Sequence, residues 1–217
     1  MNLPEIYHQV IDNLRQTGIL EYLAVISGIA SVWYSRKEDI LVYPVGLVST
    51  TIYIYLSAKE HLYGEASVNF YYTVMSIYGW ILWAKIDAQK QHVVQITYST
   101  KKDWINQLSF FLFFYISLYL ILSYLKKQFA PAAIPWADAF ASATAYTGMW
   151  LMAKKKVESW YWWIATNFAS IPLYFVKHFA LTSIFYLILL IMAFWGLTEW
   201  MRKARLNEKN KRNVGIA

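Results

Sequence analysis

The chain has no cysteine among its 217 residues. It can therefore form no disulfide bond, thiolate metal site or iron–sulfur cluster. Charged residues are also scarce, at 15% of the chain, whereas 58% of the residues are hydrophobic and 19% are aromatic. Because the charges fall mostly between long apolar runs, this composition is typical of an integral membrane protein.

The motifs of common enzyme classes are absent as well. The chain contains no GxxxxGKS/T phosphate loop and no GxGxxG, HExxH or GxSxG motif. Its four histidines, at positions 8, 61, 92 and 178, lack metal-ligand spacing. The sequence therefore disfavours a hydrolase, an ATP-driven pump and a metal enzyme. We predict a protein that is not an enzyme and that uses no cofactor.

Seven apolar segments have about the length that crosses a bilayer as a helix, roughly 17 to 25 residues. They cover residues 19–34, 40–56, 67–83, 108–125, 137–153, 159–176 and 181–201. The fold class predicted from them is an all-α integral membrane protein with seven transmembrane helices. The first eighteen residues are polar and mixed in charge. We therefore expect no cleaved signal peptide.

The net charge of +7 is explained by the distribution of basic residues between the spans. With the N-terminus outside and seven spans, the inside segments hold 15 of the 20 Lys and Arg residues, and the outside segments hold 5. The positive-inside rule then predicts a cytoplasmic C-terminus. The basic tail is a topology signal that can also attract anionic membrane lipid. We expect no nucleic-acid partner.

A shift of the sequence against itself by 117 residues aligns two groups of three spans without a gap. Only nine of the 69 positions from Gly18 to Ile86 are identical, but the acidic residues, tryptophans and basic loops coincide. The aligned pairs include Glu21 with Asp138, Trp33 with Trp150, Lys37 with Lys154, Tyr43 with Trp160, Thr50 with Asn167, Gly79 with Gly196 and Trp83 with Trp200. Such pairs predict an internal repeat.

The repeat predicts the organisation of the chain. We expect an outside N-terminal segment at 1–17, a first three-helix repeat at 18–86 and a cytoplasmic loop at 87–107. A linker helix at 108–125, a second repeat at 135–202 and a basic cytoplasmic tail at 203–217 follow. The single linker helix lets both repeats enter the membrane in the same direction. Parallel repeats of this kind are used by transporters, whose substrate site lies between the halves.

Candidate binding residues lie on two of the spans. Residues 160–167 read WYWWIATN, and Trp160, Trp163 and Asn167 fall at i, i+3 and i+7 on one helical stripe. On the third span, Asn69, Tyr72, Thr73 and Ser76 form a polar stripe. Aromatic faces attract a cationic ring, and asparagine amides both donate and accept hydrogen bonds. The two stripes could therefore hold a flat, polar organic molecule.

Structural alternatives exist for each of these residues. Tryptophans near a helix end are often interface anchors. The two asparagines, Asn69 and Asn167, could be hydrogen-bond partners between helices. The glycines Gly79 and Gly196 are interpreted as close-packing positions. Ionisable residues in the spans lie near their ends, which favours a passive facilitator over coupling to protons or sodium.

Together, Trp160-x-x-Trp163-x-x-x-Asn167 and the segment 77–83, reading IYGWILW, resemble the PnuC family of bacterial vitamin transporters. The resemblance covers about residues 19–202. It implies seven helices arranged three, one and three, as in a doubled SWEET unit. It also implies facilitated diffusion of nicotinamide riboside, which a cytoplasmic kinase traps by phosphorylation. Related members carry thiamine, and others are linked to riboflavin or deoxynucleosides.

By this resemblance, Trp160, Trp163 and Asn167 take the roles of the family's WxxWxxxN substrate motif. Relatives often have glutamine where this chain has Asn69. The shorter side chain changes the contact that the third helix can make with a substrate, and the choice of vitamin depends on that contact. Weaker candidates for the opposing wall of the site are Tyr72, Thr73 and Tyr53. Family members form trimers, so the resemblance implies a homotrimer in the bacterial inner membrane.

The resulting hypothesis is a uniporter for nicotinamide riboside with alternating access. A second hypothesis keeps the mechanism but takes thiamine as the substrate, because thiamine is also cationic and aromatic. A third, from a different class, is a membrane scaffold or receptor that transports nothing.

Overall fold

The structure, a computed structural model, describes residues 18–59, 63–86, 92–126, 134–176 and 180–213. Within these residues the chain forms seven α-helices and no strand. They are α1 (Ile19–Lys37), α2 (Val42–Lys59), α3 (Tyr63–Ala84), α4 (Lys101–Lys126), α5 (Pro135–Ala153), α6 (Ser159–Val176) and α7 (Ala180–Asn213). The all-helical prediction and the number of helices are confirmed. The predicted segment 1–17 lies outside the described residues, as do histidines 8, 61 and 178.

Helices α4 and α7 extend furthest beyond the predicted apolar segments. Helix α4 begins at Lys101, inside the predicted loop 87–107, because Thr100 and Asp103 cap it reciprocally. The Asp103 backbone N–H donates to Thr100 Oγ1 (3.2 Å), and the Thr100 backbone N–H donates to Asp103 Oδ2 (2.9 Å). Helix α7 continues to Asn213, through most of the predicted tail. The change from apolar to polar residues along the sequence therefore indicates where the apolar surface of a helix ends, but not where the helix itself ends.

Apolar length also differs between the helices. Only α4 and the part Thr182–Asn210 of α7 are long and apolar enough, among the described helices, to meet a simple criterion for a membrane span. The other five predicted spans carry many tyrosines, tryptophans, serines and threonines, which lower their mean hydropathy. Side chains that α4 exposes include Leu112, Phe113, Ile116, Leu120 and Ile121. This exposed apolar surface suits a helix that contacts lipid.

Helix contacts follow the predicted repeat. Helix α2 packs against α1 and α3, and α6 packs against α5 and α7. Between the two groups, α1 contacts α7 and α3 contacts α5, so the first helix of each group meets the last helix of the other. Helix α4 packs against α5. This reciprocal pattern supports two equivalent halves, and their parallel three-one-three arrangement stays a prediction.

Residues that the 117-residue shift aligns also touch each other. Ser35 Oγ lies 2.9 Å from Met152 Sδ, Glu38 accepts a hydrogen bond from Lys155 (2.8 Å), and the rings of Trp83 and Trp200 are 6.1 Å apart. We call these six residues the paired end. Contacts between equivalent positions are expected where an approximate two-fold axis relates two repeats, so the paired end lies on the boundary between the halves.

Two glycines allow large rings to pack between helices beside the paired end. The Tyr43 ring covers Gly79 and packs edge-on against Trp83, with centroids 5.1 Å apart. The Trp160 ring covers Gly196, and its centroid lies 5.6 Å from that of Trp200. A Cβ atom at Gly79 would lie 2.5 Å from the Tyr43 ring, and one at Gly196 would overlap the Trp160 indole. The interpretation of both glycines as close-packing positions is confirmed.

Candidate substrate-binding site

Trp163 lies where α6 meets helices of both predicted repeats. Its half-buried indole covers Gly148 of α5, where a Cβ atom would lie 3.2 Å from Trp163 Cε2. Its centroid is 6.2 Å from that of Tyr72 on α3, with the two rings inclined at 52°. Trp163 and Tyr72 were both predicted from the sequence, and the fold brings them together. The pair bridges the two halves of the molecule.

Further aromatic residues surround this pair. Tyr146 of α5 is 6% exposed, and its ring lies 6.4 Å from that of Tyr72 and 4.2 Å from that of Tyr71. The Tyr71 hydroxyl donates to the Tyr146 carbonyl oxygen (3.0 Å), and Phe114 of α4 packs edge-on against Tyr146 at 5.2 Å. We call Tyr71, Tyr72, Phe114, Tyr146 and Trp163 the aromatic cluster.

Tyr146 was not predicted from the sequence, although its sequence context held a signal. Residues 141–148 read ASATAYTG, so one large ring stands in a helix face of small residues. Small residues allow neighbouring helices to approach closely. A large aromatic ring among them must fill a space between helices. That pattern could have marked Tyr146 as a residue facing the bundle interior.

Asn167 follows Trp163 by one turn on α6 and is 3% exposed. No hydrogen bond joins its side-chain amide to any described residue. The adjacent Thr166, by contrast, lies 3.0 Å from Thr144 Oγ1 and donates to the Trp162 carbonyl oxygen. Among the described residues, the role of a hydrogen-bond partner between helices therefore falls to Thr166, and the Asn167 amide is available to a ligand.

Trp160 has different surroundings from Trp163. It is 1% exposed, and its ring is enclosed by Gly196 and Trp200 of α7. Its indole nitrogen has no hydrogen-bond partner among the described residues. The two tryptophans of the predicted stripe therefore point to different neighbours, because three helical positions place side chains about 60° apart. A substrate contact for Trp160 stays a prediction, and the contacts described are packing contacts.

The polar stripe of α3 contacts α2 through Thr73 and the aromatic cluster through Tyr72. Thr73 Oγ1 lies 2.9 Å from Thr50 Oγ1 and 2.9 Å from the Asn69 carbonyl oxygen. Ser76, one turn further along, is buried. Thr50 is the position that the repeat aligns with Asn167, so both halves place a polar side chain at this level of their second helix. Asn69 and Tyr53 are half-buried, and their roles stay predictions.

The arrangement can hold a flat molecule without using a formal charge. The aromatic cluster supplies π faces, which attract a cationic ring by about 0.5 to 2 kcal/mol each. The Asn167 amide supplies two donors and an acceptor for an amide or for hydroxyl groups. Among the described residues, no three His, Asp or Glu side chains are grouped as metal ligands.

The chain is similar to known transporters. Residues 18–202 match the family described as nicotinamide mononucleotide transporter. The chain is 22% identical over 209 residues to the nicotinamide riboside transporter PnuC of Escherichia coli (strain K12), covering 86% of both chains. It is 20% identical over 185 residues to the riboflavin/roseoflavin transporter RibM of Streptomyces davaonensis, covering 85% of both.

A relative from a third organism and a solved structure extend the comparison. The nicotinamide riboside transporter PnuC of Neisseria mucosa is 24% identical over 194 residues, which cover 84% of this chain and 72% of the relative. A crystal structure of the vitamin B3 transporter PnuC superimposes with a TM-score of 0.69 at 22% identity, covering 92% of this chain and 88% of that one. The helices therefore adopt the PnuC fold.

These matches confirm the resemblance inferred from the tryptophan and asparagine motif, and they agree with a protein that is not an enzyme. Since the family match includes 185 of the 217 residues, the chain belongs to the nicotinamide mononucleotide transporter family, whose PnuC members are membrane transporters.

Proposed function

We propose that this protein takes up nicotinamide riboside across the bacterial inner membrane by facilitated diffusion. The observation that carries the proposal is the Asn167 side chain, which makes no hydrogen bond to a described residue, belongs to a residue that is 3% exposed and lies one turn from Trp163 on the same helix. In the bound state, the pyridinium ring stacks on Trp163, with Tyr72 and Tyr146 as the other walls. Asn167 binds the carboxamide or the ribose, and Asn69, Thr73 and Tyr53 are further candidates on the first half.

The position of the cluster supports transport between two halves. Tyr72 belongs to the first predicted repeat, and Tyr146 and Trp163 belong to the second. A substrate that contacts all three side chains would lose some of these contacts whenever one repeat moved relative to the other. The driving force would come from phosphorylation of the riboside in the cytoplasm, which keeps its free concentration low. The N-terminus would face outward, and the functional assembly would be a homotrimer.

Calorimetric titration tests the choice of vitamin. Purified protein in detergent is titrated with nicotinamide riboside, thiamine and riboflavin, the last because RibM is named for it. Saturable binding of nicotinamide riboside alone is the expected result. Binding of thiamine alone, or riboflavin alone, would keep the fold and the site but overturn the substrate. Absence of binding and of counterflow in proteoliposomes for all three would favour the scaffold or receptor hypothesis.

We further propose that the paired end is a gate for alternating access. Lys155 and Glu38 form an ion pair at 2.8 Å, and the Lys155 side chain is 4% exposed. Its ammonium nitrogen also lies 4.5 Å from the centroid of the Trp83 ring. Lys203 contacts the second carboxylate oxygen of Glu38 at 3.3 Å. The positive-inside rule assigns this end to the cytoplasm, so the gate would be closed toward the cytoplasm.

Reciprocal indole hydrogen bonds support the gate. Trp83 Nε1 donates to the Ala153 carbonyl oxygen (3.1 Å), and Trp200 Nε1 donates to the Ser35 carbonyl oxygen (3.0 Å). Each bond links the last helix of one repeat to the first helix of the other. Separation of the halves at this end would break both bonds and the Lys155–Glu38 pair together. Such a set of contacts is suited to forming and breaking as a unit.

Loss of Lys155 is expected to open this end more often. In Lys155→Met, Glu38 keeps Lys203 as a partner, so we expect a cost of about 1 to 2 kcal/mol to closure, or roughly 5- to 30-fold in the population of the open state. Because the chain has no natural cysteine, Ser76→Cys at a buried position of α3 can report opening by its rate of maleimide labelling.

The matched control for this experiment is Lys154→Met. Lys154 stacks on Trp150, with its nitrogen 4.0 Å from the ring centroid, and has no contact with Glu38 in the structure. We expect its labelling rate to match that of the protein with Ser76→Cys alone. Equal rates for Lys155→Met and Lys154→Met would refute the gate.

A further inference from the structure

An apolar groove of about 510 Å³ runs between α1 and α7. Its walls include Ile26, Ile29 and Ala30 of α1 and Ile188 and Ile191 of α7. The groove joins the first helix of the first predicted repeat to the last helix of the second. Because the family is a membrane family, this groove faces acyl chains rather than water.

Two tryptophans and an arginine close one end of the groove. Trp33 and Trp195 both line it. The Arg36 guanidinium carbon lies 4.0 Å from the centroid of the Trp33 ring and 5.9 Å from that of Trp195. Tryptophan is enriched where a membrane meets water. The aromatic end of the groove is therefore suited to the depth of lipid headgroups.

Arg36 is not hydrogen-bonded to a carboxylate in the part of the chain that the structure describes, although the Glu199 carboxylate lies within electrostatic range of its guanidinium. No hydrogen bond or ion pair joins its guanidinium to those residues, although it carries five N–H donors. The neighbouring carboxylates have other partners: Glu199 binds Arg202 at 2.7 Å, and Glu38 binds Lys155 and Lys203. Lys37 adds a second, exposed cation. The end of the groove therefore carries more positive than negative charge, and the N–H donors of Arg36 remain available to a ligand.

We propose that this groove binds one anionic phospholipid. An acyl chain occupies the apolar groove, and the phosphate accepts hydrogen bonds from Arg36. Arginine suits this role because its planar guanidinium matches the geometry of phosphate oxygens. The bound lipid contacts both predicted repeats next to the paired end. The inference depends on the membrane location of the family and not on which vitamin is carried.

Native mass spectrometry of the detergent-solubilised protein tests the proposal. The probes are phosphatidylglycerol and phosphatidylcholine with identical acyl chains. We expect one tightly retained phosphatidylglycerol per chain and a preference over phosphatidylcholine of about fivefold or more, the factor that one basic residue contributes near an anionic surface. Arg36→Met should lose this preference, and Arg36→Lys should keep part of it.

Two further variants separate the groove from charge in general. Ala30→Phe fills the groove and should reduce retention of both lipids while leaving Arg36 intact. Arg205→Met removes an exposed cation of α7 outside the groove and should change nothing. Equal retention of the two lipids by the unmodified protein, or unchanged preference in Arg36→Met, would overturn the proposal. Occupation of the groove by a second copy of the chain would also overturn it. That outcome would appear as an oligomer that retains no lipid and that dissociates when Ala30→Phe is introduced.

Discussion

Trp163→Ala is expected to weaken nicotinamide riboside binding by roughly 5- to 150-fold. Stacking of a flat ring on an aromatic side chain is worth about 1 to 3 kcal/mol when the side chain is cut to alanine, which corresponds to that range of dissociation constants. Trp163 is the one indole of the motif that meets Tyr72 and therefore the other half of the molecule. Trp163→Phe keeps a π face and should retain part of the affinity. Calorimetry with nicotinamide riboside measures both.

Asn167→Ala distinguishes a binding role from a structural one. Its amide has no hydrogen bond to a described residue, so the substitution should leave the unfolding temperature within a few degrees. Loss of hydrogen bonds to the substrate should weaken binding by about tenfold, or 1.4 kcal/mol. If Asn167 were instead a structural hydrogen-bond partner, Asn167→Ala would lower the stability of the protein and leave binding unchanged.

Tyr161→Ala is the matched control for both substitutions. Tyr161 lies on the same helix and is 40% exposed, away from the aromatic cluster. It should change neither binding nor stability. If Trp163→Ala and Asn167→Ala bind nicotinamide riboside like Tyr161→Ala, the proposed site is wrong.

Among the glycines whose surroundings the structure describes, Gly196 is expected to be the one at which an alanine substitution destabilises the protein most. The new methyl group would overlap the Trp160 indole, which is itself enclosed by Trp200. Overpacking of this kind costs about 1 to 3 kcal/mol, and the better helix propensity of alanine offsets less than about 1 kcal/mol of it. Thermal unfolding in detergent, followed by tryptophan fluorescence, should show a clear drop in the unfolding temperature.

Other glycines supply the controls. No atom lies within 4 Å of a Cβ placed on Gly18, so Gly18→Ala should behave like the unmodified protein. Gly79→Ala should resemble Gly196→Ala, because the Tyr43 ring covers it. Adding Trp160→Phe to Gly196→Ala makes room for the methyl group and should recover part of the loss. Equal stability of Gly196→Ala and Gly18→Ala would rule out close packing as the reason for glycine here.

Several features of this protein could be predicted from local sequence. Apolar runs indicated seven helices, because a helix in a membrane satisfies its own backbone hydrogen bonds and must be apolar outside. The offset of 117 residues was visible because equivalent positions in a repeat need similar side chains. Trp163 and Asn167 could be placed on one helical face, because that relation depends only on the 3.6-residue turn.

Contacts between segments that are distant in the sequence could not be predicted from local sequence. The sequence treated Trp160 and Trp163 alike, and the tertiary structure separated them by placing Gly196 beside one and Tyr72 beside the other. Tyr146 belongs to the aromatic cluster only because α5 packs against α3. The start of α4 depended on the cap formed by Thr100 and Asp103, which an apolarity pattern does not record.

The division has a physical reason. The sequence by itself determined the helical fold class and the face that carries Trp163 and Asn167, since each arises from periodicity along one segment. The repeat comes from comparing two segments and stays a prediction. The tertiary structure decided which rings meet, which amide remains without a partner and which charges pair, as Glu38 and Lys155 do across 117 residues. Those outcomes depend on which helices become neighbours, and that is a property of the whole packed bundle rather than of any one helix.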